Sequence, residues 1–399
     1  MDRFKIKVQY IFIEIIFFFL KNFIIEYFLK NKQTFYNYIF YKSEVSKKIS
    51  KSIIINKTDA IGDYLLFRPF LNVIKSSYPD YKIILVGNIQ WKQISGILDS
   101  KNIDEFIWID KKKIDFNDLN PYTIDFLLKV TFYRHKIAIY PVYSREHTFG
   151  DVIMSFIDSD EKISYFGDNV NNISNFKNDE IYTRLIKVNQ VHDFEKHKEF
   201  FEKILFRKIN KYEIGYNLSI ESKKTNTITI CPGSSQTHKM WPNSYWIRTI
   251  DYLLNNYQNH SINILGGNEI LNLGELINQK YKNNVKIKNL INNTTLMEVI
   301  EIINQSFLLI TVDSMSAHIG YQTNTPTICI YKGNHYGRFL PYNNSSKFKL
   351  CVPYEIKKLS EDKRKILFGH NEGLTIELIT FDLFVFDLEL FIVDIYELF

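Results

Sequence analysis

The sequence predicts an α/β protein of two doubly wound domains, and three observations carry that expectation. A short apolar run, Ile53, Ile54 and Ile55, leads through the polar turn Thr58–Asp63 into a helical spacing of apolar residues at Leu65, Leu66, Phe70, Leu71 and Ile74. Strand, tight glycine-bearing turn and helix is how such a domain opens. The same grammar restarts at TITICPG (227–233), with a helix expected from Asn243. The chain has 399 residues, which suits two domains of roughly 150–200 residues each.

The elements follow in order. In the first domain the pattern gives strands at 81–88 and 105–110, a helix over 91–98, and further elements near 122–130 and 135–142. The segment YPVYSREHT (140–148) reads as a functional loop after a strand. Residues 158–180 are rich in Asp, Asn and Ser and are expected to form a loop, with a helix near 193–207 and an interdomain connection at 217–227. The second domain is expected to hold strands at 227–233, 261–267, 285–290, 307–314 and 325–333, the last closing its sheet. Helices fall between them, through Leu276 and over 296–306. Two such domains leave a cleft between the carboxyl ends of their sheets.

The ends differ from the middle. Residues 1–50 hold nine Lys or Arg against four acids, a net +5 of the whole chain's +6. These charges interrupt a greasy helical stretch at 10–29, where Lys7, Glu14 and Lys21 share one face and the longest charge-free run, Ile15–Leu20, is too short to span a bilayer. That suits an amphipathic helix on an anionic membrane surface, or one packed on the protein itself, better than a nucleic-acid site. No cleavage site for a signal peptide follows. The tail from Ile376 reads as an amphipathic helix with Asp382, Asp387, Glu389, Asp394 and Glu397 on one side, suited to pairing with the basic amino terminus. Cys231, Cys329 and Cys351 fit neither a disulfide framework nor a zinc site, which points to a reducing compartment.

Three turns of the second domain carry candidate chemistry. CPGSSQTHKMWP (231–242) offers Gly233, Ser234 and Ser235 before a helix, where backbone N–H groups and the helix dipole favour a phosphate, and Lys239 adds a point charge. A solvated loop is the plainer reading. GGNEI (266–270) presents Glu269 to ribose hydroxyls, or simply places an acid at a helix start. VDSMSAH (312–318) sets Asp313, Ser314 and His318 at a strand end, as ligand contacts or as a cap and a structural histidine.

The order KTDAIGD, PGSSxxxKxWP, GGxxE and DSxxxH resembles glycosyltransferase family 9, the heptosyltransferases and their relatives, over roughly 51–341. The resemblance implies the GT-B architecture: two Rossmann-like doubly wound domains facing across a cleft, here with extra amphipathic helices at both termini. The implied scheme is an extension at 1–50, an acceptor-side domain at 51–222, a nucleotide-sugar domain at 223–345 and a carboxyl-terminal segment at 346–399. It implies inverting, metal-independent transfer of heptose or a related sugar from a nucleotide diphosphate sugar, ADP-linked, to a lipopolysaccharide-core or other cell-surface glycan or glycolipid. No cofactor and no nucleic acid are implied, and the place is cytoplasmic, peripheral on the inner face of the membrane.

By position, the resemblance makes Asp63 the general base. Ser234, Ser235 and Lys239 become diphosphate contacts, Glu269 the ribose acid, and Asp313, Ser314 and His318 the sugar and phosphate turn. Lys57 and Arg338 are candidate acceptor or phosphate contacts. Met315 stands where the family has glycine, and would narrow the sugar pocket. Three rival readings remain: a metal-dependent glycosyltransferase using the Asp158-Ser159-Asp160 triplet, a catalytically inactive membrane-attached scaffold, and a nucleotide-sugar epimerase of the same fold.

Overall fold

The computed structural model describes residues 49–168, 179–210, 212–214, 218, 223–342 and 346–396. The amino-terminal amphipathic helix, Glu397 and much of the 217–227 connection lie outside those residues. Along the chain the elements run β1 (Ile49–Lys57), α1 (Ile61–Phe67), α2 (Phe70–Ser77), β2 (Lys82–Asn88), α3 (Lys92–Leu98), β3 (Glu105–Ile109), α4 (Pro121–Val130), β4 (Arg134–Tyr140), α5 (Gly150–Phe156), β5 (Asp158–Tyr165), β6 (Arg184–Ile186) and α6 (Asp193–Leu205). They continue with β7 (Thr227–Cys231), α7 (Asn243–Asn256), β8 (Ser261–Ile264), α8 (Leu271–Lys280), β9 (Ile287–Asn289), α9 (Leu296–Gln305), β10 (Leu308–Val312), α10 (Met315–Gln322), β11 (Thr327–Ile330), β12 (Phe348–Cys351), α11 (Tyr354–Lys357), α12 (Glu361–Phe368) and α13 (Phe381–Tyr396).

Packing divides the chain into two units. One takes the residues up to Ala60 with Ile74–Val188, the other Ile61–Val73 with Asn189–Phe399. The first unit holds a parallel sheet of order β3-β2-β1-β4-β5-β6. Its central strand β1 carries the run Ile53–Ile55, fully buried, because a parallel strand covered on both faces has no solvent side to alternate with. Helix α4 starts where Asn120 accepts the Thr123 N–H at 2.8 Å and Pro121 fills the first helical position. Its Ile124, Phe126, Leu127 and Val130 join Ile54, Val86 and Ile107 in the core.

One expectation fails in this unit. Residues 158–165 are strand β5, paired in parallel with β4, rather than the start of a loop. Their acids are held across the sheet: Asp160 meets Arg134 Nε at 3.0 Å and Lys136 Nζ at 2.9 Å, and Glu161 meets Arg184 at 3.0 Å. Opposite charges on neighbouring strands let a polar segment pair. The Asp-Ser-Asp triplet therefore opens a strand, at the end away from the carboxyl-end crevice where ligands bind in such sheets.

The second unit repeats the topology as β12-β11-β10-β7-β8-β9. Read from its own first strand, β7, this is the doubly wound order of the first sheet. The sheet does not close at β11: β12 adds an edge strand, with Thr327 opposite Phe348. Helix α13 covers the core, with Phe384, Leu388, Phe391, Ile392 and Ile395 buried and Trp241 donating to the Ile379 carbonyl at 2.7 Å. The tail is thus helical, but its acids do not form one solvent face. Asp387 is 1% exposed and ion-paired with Lys357, while Phe386, Leu390 and Val393 point outward. Among the described residues no helix is long and apolar enough to cross a membrane.

Candidate functional site

The second unit gathers most of the candidate residues at the carboxyl ends of β7, β8, β10 and β11. After β7, Ser234 is buried and its hydroxyl accepts the Gln236 N–H at 3.3 Å, so the turn folds on itself before a single helical turn at Thr237–Lys239. Ser235 is exposed beside it. Lys239 reaches across to β10, where its Nζ lies 2.7 Å from Asp313 Oδ2.

Glu269 folds back over the same turn. Its Oε1 accepts the Gly267 N–H at 3.0 Å, and a Cβ built on Gly233 would fall 2.2 Å from that oxygen. A side chain at Gly233 would displace the carboxylate, which occupies its place. Glu269 itself remains exposed. The two glycine turns read separately in the sequence are therefore one wall.

Asp313 and Ser314 end β10 and lead into α10. Asp313 Oδ2 also accepts from Asn334 Nδ2 at 2.9 Å. A carboxylate accepts only, so the amide nitrogen faces it and leaves Asn334 Oδ1 buried without a partner. The Ser314 hydroxyl is likewise buried and unpartnered at the helix start, making no cap of its own. Unsatisfied buried polar atoms cost about 1–3 kcal/mol each, and two flank one aspartate here.

His318 is part of the packing between α10 and α1. It is buried, its Nδ1 hydrogen-bonds the Tyr342 hydroxyl, and a Cβ on Gly62 would lie 3.2 Å from its Cδ2. Burial pushes its pKa down to about 4, with His192 and Lys239 adding to the shift and Asp313 opposing it, so the ring is neutral near pH 7. Gln322 of α10 donates to the Leu65 carbonyl of α1 at 2.7 Å. These contacts join the helix that carries Asp63 in its first turn to the helix that starts at Ser314.

The remaining candidates are spoken for by the protein. Lys57 is 2% exposed and sits 2.9 Å from Asp59 and 3.3 Å from the Pro141 carbonyl. The Asp59 backbone carbonyl accepts the Trp91 indole at 3.2 Å, so this residue shapes the first turn. Arg338 meets Asp193 at 3.2 Å and accepts the Asp193 N–H on its carbonyl, fixing the start of α6. Burial would raise the Asp193 pKa, but Arg338 and Lys196 outweigh it and hold the carboxyl low. Among the described residues no group of three or more His, Cys, Asp or Glu could hold a metal ion. The cysteines are free and buried, and burial lifts Cys231 to about 12.

Sequence reasoning missed Lys332 and Asn334, in the turn after β11. Gly333 has φ +90° and Gly373, with φ +74°, packs against the Lys332 carbonyl. A lysine and an amide flanking a glycine at a strand end was the available signal.

The fold is one of two doubly wound parallel sheets, and the comparisons with known proteins bear on that fold. Residues 188–366 match the family model of glycosyltransferase family 9 (heptosyltransferase), so the chain carries a glycosyltransferase family 9 domain and is a glycosyltransferase by that domain. Its fold is that of a glycosyl transferase family 9 protein from Veillonella parvula, with TM-score 0.64 at 18% identity over 88% of this chain and 99% of that one. It is similar to E. coli heptosyltransferase WaaC with ADP, with TM-score 0.61 at 14% identity over 86% and 98%. E. coli ADP-heptose lps heptosyltransferase II gives TM-score 0.62 at 13% identity over 86% and 98%. No curated protein sequence matches the chain.

Proposed function

We propose that the chain transfers heptose or a related sugar, with inversion, from an ADP-linked donor to a lipopolysaccharide-core or other cell-surface glycan. The observation that carries this is the wall formed by Gly233, Glu269, Lys239, Asp313 and Ser314 at adjacent strand ends of one unit. It offers an exposed carboxylate suited to ribose, an ammonium suited to a diphosphate, and free acceptor atoms suited to sugar hydroxyls. The ADP assignment follows WaaC, whose structure is described with ADP.

In this mechanism Asp63 accepts the proton of the acceptor hydroxyl as its oxygen attacks the anomeric carbon. The sugar–phosphate bond breaks with inversion, and the leaving diphosphate takes up the charge beside Lys239 and the turn N–H groups. The Gly62–His318 contact supports this roles assignment, because it ties the helix of the proposed base to the helix of the donor turn. His318 is then a positioning group, held neutral in that packing.

The test is a thermal-shift panel of ADP-, UDP- and GDP-sugars on wild type and Lys239→Ala. ADP-sugars are expected to raise the wild-type Tm by several degrees and the variant by much less. No shift with any nucleotide sugar would overturn the reading.

A further inference from the structure

Helix α1 carries Asp63 in its first turn and ends just before Pro69. In a continuing helix the Leu65 carbonyl would accept the N–H of residue 69, and a proline has none. The carbonyl before it keeps its bond, with the Arg68 N–H donating to Tyr64 at 2.7 Å. Leu65 is fully buried, so its carbonyl needs a donor from elsewhere in the fold. That donor comes from 257 positions along the chain: Gln322 Nε2 lies 2.7 Å from the Leu65 oxygen.

Gln322 is the last residue of α10 and is 2% exposed. Its Oε1 is buried with no hydrogen-bond partner among the described residues. The amide thus makes one buried hydrogen bond and orphans one oxygen, an exchange that leaves little net stability. What it fixes is geometry. One turn earlier on the same face of α10, His318 packs on Gly62, where a Cβ would lie 3.2 Å from its Cδ2. Gly62 and Leu65 are likewise three apart on α1, with Asp63 between them. Two contacts a turn apart stop α1 from rotating about its axis or sliding along α10. Behind them the Phe67 ring meets His197 at 5.7 Å, and Asn72 donates to the Glu213 carbonyl at 2.9 Å. The segment 61–73 therefore stays with the second unit, in which α10 starts at the donor turn.

We propose that Gln322 is a positioning residue for the transfer. It takes the place of the N–H that Pro69 lacks, and with His318 it sets the direction of Asp63 relative to the donor turn. This rests on the reading of Asp63 as the base and adds to it the residue that holds the base helix on the donor helix. The base and the donor turn then belong to one packed unit, and their geometry is set before any acceptor arrives.

The experiment is a double-mutant cycle on the full chain, following transfer from ADP-heptose to a lipopolysaccharide core oligosaccharide, with ADP binding by calorimetry and Tm alongside. Gln322→Met is expected to lower kcat by about 10–100-fold, the effect of a misplacement near 1 Å, with ADP affinity within about 2-fold. In the Asp63→Asn background the same change should lower kcat by less than about 2-fold, because Gln322 acts through Asp63. Adding Pro69→Ala to Gln322→Met gives the Leu65 carbonyl an N–H without restoring the link to α10. It should raise Tm and leave kcat low. Wild-type kcat in Gln322→Met overturns the proposal and leaves the donor reading standing. So does the same loss in both backgrounds, or a kcat that returns together with Tm on Pro69→Ala. Full activity in Asp63→Asn, or a wild type that forms no product, overturns the base reading and this proposal with it. Should Gln322→Met not fold alone, the Gln322→Met, Pro69→Ala pair carries the same comparison.

Discussion

His318 gives the most direct physical test of the packing that joins α1 to α10. Its ring is buried against Gly62 and Tyr342, and its pKa falls from 6.5 to about 4. The sign follows from proton uptake. Between those two values the unfolded chain binds a proton that the folded protein does not, so stability contributed by the neutral ring is present above pH 6.5 and drains away as pH falls toward 4. Using these two pKa values, the loss between pH 7 and pH 5 is about 2 kcal/mol. His318→Gln removes the titration while keeping a polar side chain. Urea unfolding at pH 7 and pH 5, followed by tryptophan fluorescence from buried Trp241 and Trp246, should show wild type losing about 2 kcal/mol more than the variant. Equal losses would refute the reasoning, and so would a His318 ring that protonates near pH 6.5 by NMR.

Two further predictions concern chemistry. Asp63→Asn should lower kcat by about 10³-fold or more, as expected of a general base, with ADP affinity unchanged. Wild-type turnover in that variant removes Asp63 from the mechanism. Gly233→Ala places a methyl 2.2 Å from Glu269 Oε1, the far end of a flexible side chain. The fold should lose less than about 1 kcal/mol, while adenosine affinity drops by about 10-fold through displaced charged hydrogen bonds. Calorimetry that finds adenosine binding untouched would separate Glu269 from the ribose.

Legibility varied along the chain for identifiable reasons. The apolar strands β1, β7 and β10 and the amphipathic helices α7 and α9 stood where their periodicity placed them, since each buries its own pattern. Strand β5 was opaque because its acids are balanced by Arg134 and Lys136 on the neighbouring strand, a partnership that only pairing creates. The acids of α13 misled for the related reason that Asp387 found Lys357 inside. Lys332 and Asn334 left only a lysine and an amide flanking a glycine as their signal, and Asn334 stood out through its burial and its unpartnered Oδ1.

By itself the sequence determined the two parallel sheets, the order of their strand-end turns and the family resemblance. These are local matters: strand, glycine turn and helix are encoded within some twenty residues, and the order of turns is the order of the chain. Tertiary structure decided which turns meet. It folded Glu269 over Gly233, paired Lys239 with Asp313, and packed Gly62 on His318 so that residues 61–73 go with the second unit. Those contacts join residues up to 257 positions apart, as from Gln322 to Leu65. Distance along a chain carries no information about such meetings until the sheets have twisted and the helices have found their faces.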